Sequence, residues 1–309
     1  MTTNKSRDTV QIDVDLVTRL IASQFPDWKN LPITPVALSG WDNRTFHLGD
    51  TMMVRLPSAE HYGAAVDKEQ TWLPRIAPYL PLAIPTPLAK GRPGSEYPWH
   101  WSVYGWLDGE NATIDSIDDL NRFAIALADF LAALQRIDTR GAPRATTRSL
   151  RGGSLSIYDA QTREALDRLR GDIDTDAATA IWDEALQAPF SAKSVWYHGD
   201  VGAGNLLVKH GELAAVIDFG GLAVGDPACD MAIAWTLLTA ISRGAFRSAL
   251  SVDDAIWARG RGWALWKAMI VLARLTETNA VEAGSAQYAV DELLIDYRNR
   301  RPQAKSSVE

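Results

Sequence analysis

The sequence predicts an α+β chain in two lobes, a small antiparallel sheet first and a larger, mainly helical part after it. Three observations point there. Short runs with strand character, broken by turn residues, occupy the chain from Val36 to Leu107. From Ile117 onward apolar residues recur at alternating spacings of three and four, the period of a helix with one buried face. Between the two regimes lies Asp108-Gly109-Glu110, so the lobes are expected at 1–107 and 108–309, joined by a hinge near 103–109.

Taken in order, Val14 to Gln24 reads as a lead-in helix. Strands near Val36 to Ser39, Arg44 to Leu48 and Met52 to Leu56 make the antiparallel sheet. Glu60 to Leu73 is helical in pattern and is expected to stop or kink at Pro74, which has no amide hydrogen to give the preceding turn. A proline-rich stretch to Pro87 leads to another strand pair ending in Trp101 to Leu107. The helix after the boundary carries Ile117, Leu120, Ala124, Leu127, Leu131 and Leu134 on one face. Val195 to Tyr197 is a short strand, and His198 to Gly204 is too glycine-rich for regular structure. Leu206 to Val208 and Leu213 to Ile217 then form a hairpin around Lys209-His210-Gly211-Glu212. Beyond Asp230, the runs around Trp235, Trp257, Trp263 and Trp266 imply helices, with a polar tail after Tyr297.

A chain of 309 residues that is 47% hydrophobic can bury two cores. The opening MTTNKSRDTV has no apolar signal-peptide core. The most hydrophobic stretch, Trp263 to Leu275, is short and carries Lys267 and Arg274, so a cytoplasmic protein with no membrane partner is expected. Cys229 stands alone, cannot close an intramolecular disulfide, and is simplest as a small buried residue. A net charge of -7 argues against nucleic-acid binding, which needs a basic face, and is compatible with cationic substrates.

The strongest pattern runs from Trp196 to Met231, WYHGDVGAGNLLVKHGELAAVIDFGGLAVGDPACDM, where Asp200, Asn205 and Asp218 follow one another at intervals of five and thirteen. Transfer of a phosphoryl group to a hydroxyl needs a carboxylate beside the attacking oxygen, and oxygen ligands that hold Mg²⁺ against the phosphates. Asp200 suits the first task. Asn205 and Asp218 suit the second, because the expected hairpin brings both to one end of two paired strands and Mg²⁺ takes hard oxygen donors. A metal-dependent hydrolase built on His198, Asp200, His210 and Asp218 is the competing reading; the hairpin turn, however, would carry His210 away from the others.

In this order, HGDVGAGN, IDFG and GDPACD resemble the aminoglycoside phosphotransferase family, small-molecule relatives of the eukaryotic protein kinases. HGD stands where protein kinases carry HRD, and IDFG where they carry DFG. The resemblance runs from about Leu38 to the C-terminal helices and is weakest in the N-terminal third. It implies a bilobal protein-kinase-like fold, ATP or GTP as phosphate donor, Mg²⁺ as cofactor, and a small-molecule hydroxyl acceptor: an aminoglycoside-type antibiotic, a macrolide, or a metabolite such as a sugar, choline or amino alcohol. Only seven residues separate Asp218 from Asp226, too few for the activation segment on which protein kinases lay a peptide, so no protein substrate is expected.

The same resemblance implies further roles. His198 would brace the catalytic loop, and Asp230 would accept hydrogen bonds from that loop's backbone. Arg55 stands where the family and kinases place a phosphate-steadying lysine, with Glu69 as its acidic partner; the alternative is a mere surface ion pair. Ser39, Gly40 and Asn43 lie in the loop that would cover the phosphates, although any hairpin carries such residues. Tyr104 and Trp106 occupy the hinge position where adenine would pair, although the tryptophans there, Trp99, Trp101 and Trp106, also suit a core. Arg55 and the glycine-poor loop leave a nucleotide-binding pseudokinase as an alternative to an enzyme. Arg140, Arg144, Arg148 and Arg151 read best as a solvated loop, and acids such as Asp253, Asp254, Glu277, Glu282, Asp291 and Glu292 are candidates to meet substrate amino groups.

Overall fold

The computed structural model describes residues 10–36, 42–145, 151–190, 193–278 and 280–300. Two compact units emerge, one comprising the chain up to Pro78 with Ala83–Asp108, the other Tyr79–Leu82 with the chain from Gly109 onward.

The first unit starts with helix α1 (Val14–Gln24), capped by the Asp13 carboxylate, which accepts from the Leu16 amide at 2.9 Å. Strands β1 (Ile33–Pro35), β2 (Asn43–Leu48) and β3 (Met52–Pro57) follow, then α2 (Gly63–Ile76), β4 (Pro87–Gly91) and β5 (Trp101–Gly105). The sheet is antiparallel throughout, in the order β1-β2-β3-β5-β4. Its core sets Leu16, Val17, Leu20 and Ile21 of α1 against Phe46, Leu48, Val54, Leu56, Trp101 and Val103. Trp101 is fully buried and Trp99 packs on the same cluster, as their shared parity suggests.

The strand expected at Val36 to Ser39 falls mostly on positions 37–41, which lie outside the described residues; a strand precedes it at Ile33–Pro35. β1 is an edge strand, where a proline without an N–H is tolerated. The helix expected to stop or kink at Pro74 does not stop there but runs to Ile76, after a 3₁₀ turn at Glu60–Tyr62. Pro74 sits in the last turn, so little helix remains for it to disrupt, and the Ala77 amide still reaches the Leu73 carbonyl.

In the second unit come β6 (Glu110–Asn111), α3 (Leu120–Arg136), α4 (Asp159–Arg168), α5 (Thr175–Gln187), β7 (Val195–Tyr197), β8 (Leu206–Lys209), β9 (Glu212–Val216), β10 (Ala223–Gly225), α6 (Ile233–Thr236), α7 (Ala240–Leu250), α8 (Asp254–Leu272) and α9 (Ala280–Arg300). Helix α3 starts after Asp119, whose carboxylate accepts from the Asn121 and Arg122 amides; Ile117 stays outside it. The buried face of α3 carries Phe123, Ala124, Leu127, Leu131 and Leu134. Two small antiparallel sheets, β6-β8-β9 and β7-β10, bring the glycine-rich loops together. Helix α8 is buried on nearly every side from Trp257 to Val271, so its sequence lacks an amphipathic period. No described helix is long and apolar enough to cross a membrane.

Candidate active site

The hairpin of β8 and β9 pairs Lys209 with Glu212 across a tight turn in which His210 and Gly211 both have positive φ, 53° and 76°. Asn205 and Ile217 extend the strands at the other end, where the Ile217 amide donates to the Asn205 carbonyl at 2.9 Å. His210 is therefore carried to the far end of the hairpin, and a four-member His/Asp metal centre does not form. Among the described residues no group of three or more His, Cys, Asp or Glu is placed to hold a metal.

The Asn205 amide nitrogen donates to both the Asp200 carbonyl at 2.9 Å and its carboxylate Oδ2 at 3.0 Å. This fixes the amide so that its oxygen is the atom left for another ligand. The loop is pinned by the Ala112 backbone amide, which donates to the Ala203 and Leu206 carbonyls, and by the Asn111 side-chain amide, which donates to the Gly204 carbonyl. Asp218 adopts a left-handed conformation, φ 63°, sparsely populated for a residue with a side chain, and its carboxylate accepts from the Gly220 amide at 3.3 Å.

His198 is fully buried and joins the two segments. Its Nδ1 accepts from the Asp200 amide at 3.2 Å, which places the proton on Nε2, and Nε2 donates to the Ile217 carbonyl at 3.1 Å. Its ring meets Phe219 edge-on, with centroids 4.6 Å apart. Asp230, also fully buried, accepts from the His198 and Gly199 amides, one on each oxygen, both at 2.8 Å. Burial pushes its carboxyl above the ordinary range, while the two amides it accepts from pull it back. Gly199 has φ 92°, and a side chain there would strike the Gly221 carbonyl at 2.8 Å; one on Gly221 would strike the His198 carbonyl at the same distance. The two loops thus meet backbone to backbone.

In the first unit, Arg55, Glu69 and Tyr104 form a second cluster. Arg55 Nη1 lies 3.7 Å from Glu69 Oε2, the Tyr104 hydroxyl donates to the same oxygen, and the guanidinium stands 5.9 Å from the Tyr104 ring centroid. Glu69 is buried and the Arg55 side chain is only 13% exposed, so the pair does not stand on the open surface. Burial first, and the Glu69 charge second, push the Tyr104 phenol well up. Asn43 opens β2 opposite Pro57, while Trp106 packs on His47 with centroids 4.1 Å apart and donates its amide to the Thr51 carbonyl. Ser39 and Gly40 lie outside the described residues.

Among the four arginines read as a solvated loop, Arg140 is exposed and pairs with Asp138, and Arg148 lies outside the described residues. Arg151 departs from that reading: its guanidinium stacks over Trp266 at 5.0 Å and Trp263 at 5.7 Å. A buried pair, Asp226 with Arg259, was not expected. Its only trace in the sequence is a pair of arginines, Arg259 and Arg261, inside a mostly apolar helix.

A family model described as the phosphotransferase enzyme family matches residues 33–263, most of the chain. The chain belongs to the phosphotransferase enzyme family. No curated protein sequence matches this phosphotransferase. Its fold is similar to the GDP and kanamycin complex of APH(2")-IIia, with 17% identity over 92% of this chain and 99% of that one and a TM-score of 0.66. The streptomycin-ATP-APH(2")-IIa ternary complex is similar at 17% identity, 93% and 97% coverage and a TM-score of 0.57. Macrolide 2'-phosphotransferase MphH from Brachybacterium faecium, as apoenzyme, is similar at 20% identity, 90% and 98% coverage and a TM-score of 0.56. The phosphotransferase has the kinase-like fold of these enzymes, and its chemistry is phosphoryl transfer to a hydroxyl group of a small molecule.

Proposed function

We propose that this phosphotransferase moves the γ-phosphoryl group of ATP, or of GTP, to a hydroxyl of an aminoglycoside-type compound or a related small molecule. The observation that carries the reading is the joining of Asp200, Asn205 and Asp218 by one hairpin end and one loop, with His198 bridging the two segments. In this reading Asp200 orients the acceptor hydroxyl and takes its proton late in transfer. The amide oxygen of Asn205 and the carboxylate of Asp218 hold Mg²⁺. Their hard oxygen donors fit that ion, and the orientation of the Asn205 amide leaves the right atom for it. Bound Mg²⁺ would supply charge neutralisation at the nucleotide phosphates. Arg55, held by Glu69, steadies those phosphates; Asn43, Tyr104 and Trp106, with Ser39 and Gly40, complete the nucleotide side.

A second reading, a metabolic acceptor with fewer amino groups, draws support from the acids of the helical part. Glu292 pairs with Arg243 at a largely buried position and Asp253 caps α8 through the Ile256 amide, so these two carboxylates are already engaged and of lower value to a polycation. Nucleotide consumption by the wild type and Asp200→Asn, with Mg²⁺, over aminoglycosides, macrolides, sugars and amino alcohols tests both. A hit lost in the variant supports phosphotransfer and names the acceptor. Mg-nucleotide binding with no transfer to any of them, and no slow hydrolysis, would leave a nucleotide-binding pseudokinase.

A further inference from the structure

Arg259 and Asp226 form a two-pronged ion pair inside the second unit. Arg259 Nε donates to Asp226 Oδ2 at 2.6 Å and Nη2 to Oδ1 at 3.1 Å. Asp226 is 3% exposed and Arg259 6%, so both charges have left water almost completely. The third arm of the fork, Nη1, donates to the Pro189 carbonyl just beyond α5. Desolvation cancels much of the attraction in such a pair, so its net contribution to stability is small or negative, and what it adds is fixed geometry.

The geometry it fixes leads to Asp200. Asp226 opens the 3₁₀ turn Pro227–Ala232: its Oδ1 accepts from the Ala228 amide at 3.1 Å, and its own amide donates to the Gly152 carbonyl at 3.0 Å. Asp230 lies in that same turn and holds the His198 and Gly199 amides. Gly260, next to Arg259, has no room for a side chain, since a Cβ there would stand 2.5 Å from Met231 Cβ; α8 and the turn touch almost backbone to backbone. The path from α8 to the Asp200 amide therefore consists of short bonds and close contacts. The pair also borders a cavity of about 480 Å³, lined in addition by Arg144, Ser154 and Phe190, so an Arg259 side chain released from its clamp has space to move.

We propose that Arg259 is a positioning residue for phosphoryl transfer: by clamping Asp226 it fixes the turn that carries Asp230, and through Asp230 it sets the orientation of the Asp200 loop. This rests on the phosphotransferase reading given above. Lysine at 259 keeps the charge but lacks the fork that meets both carboxylate oxygens and the Pro189 carbonyl at once.

The experiment compares wild type, Arg259→Met, Arg259→Lys and Asp226→Asn, each well below its own melting temperature. Turnover is counted per nucleotide-binding site, so unfolded protein does not enter. Arg259→Met is expected to lower kcat by about 10- to 100-fold, as small misplacements of a reacting group do, with nucleotide KM within about twofold. Arg259→Lys should restore part of the loss. Amide exchange at His198 and Gly199 should quicken by about tenfold while β8 and β9 keep their protection. Unchanged kcat per site, or exchange raised uniformly over α3, β8 and β9, would overturn the proposal. Should Arg259→Met not fold, Asp226→Asn and Arg259→Lys decide by the same two readouts. Failure of the wild type to phosphorylate any acceptor would instead sink the functional reading, and amide exchange alone would then decide the clamp.

Discussion

The loop around Asp200 and the cluster around Arg55 are held in place by different kinds of bond. Around Asp200 the main chain does the holding: amides of His198, Gly199, Asp200 and Ile217 all find specific acceptors, two of them on the buried Asp230. Arg55, Glu69 and Tyr104 meet through side chains on β3, α2 and β5. A reacting side chain on a backbone-fixed loop can be changed with little effect on the fold, whereas each member of a side-chain cluster also supports the others.

That contrast can be broken by substitution. The largest effect should come from Asp200→Asn, which is expected to cut turnover by about 10²- to 10⁴-fold. Its melting temperature should stay close to wild type; turnover near wild type would remove Asp200 from the chemistry. Asp218→Ala should weaken Mg-nucleotide binding by about tenfold or more in a calorimetric titration, and unchanged affinity would remove Asp218 from the metal site. Asp230→Ala leaves two buried amides without acceptors and should cost about 1–3 kcal/mol for each in urea unfolding, with turnover falling as well. A stable Asp230→Ala would mean that the backbone does not depend on this carboxylate. The smallest effect belongs to Tyr104→Phe, which removes one donor from Glu69 and should cost about 1 kcal/mol, with a modest rise in nucleotide KM. A change in KM as large as that from Arg55→Ala would show that the phenol itself serves the nucleotide.

Sequence legibility followed the same division. The hairpin that places Asn205 beside Ile217 was readable because its signals are local: two apolar runs and a turn with Gly211 at positive φ. That the segment carrying Asp200 is an irregular loop was readable from its glycines. By contrast, α2 was cut short because Pro74 falls where a helix is about to end anyway. The Asp226–Arg259 pair joins residues 33 apart and leaves no periodic trace, since α8 is buried on nearly every side and has no broad polar face to set its arginines against. Arg151 was misread for a related reason: its partners, Trp263 and Trp266, lie more than a hundred positions away and nothing near it in sequence announces them.

The contact between Gly199 and Gly221 bears on how mutational tolerance in this chain should be interpreted. Neither position has space for even a methyl group, so in a saturation library both would empty under selection for folded protein alone, with no acceptor or nucleotide present. Asp200, exposed and held by its backbone, would empty only when survival depends on turnover. Running the two selections side by side would therefore separate positions that the chain needs in order to exist from those it needs in order to react, and the boundary between the two falls between adjacent residues, Gly199 and Asp200.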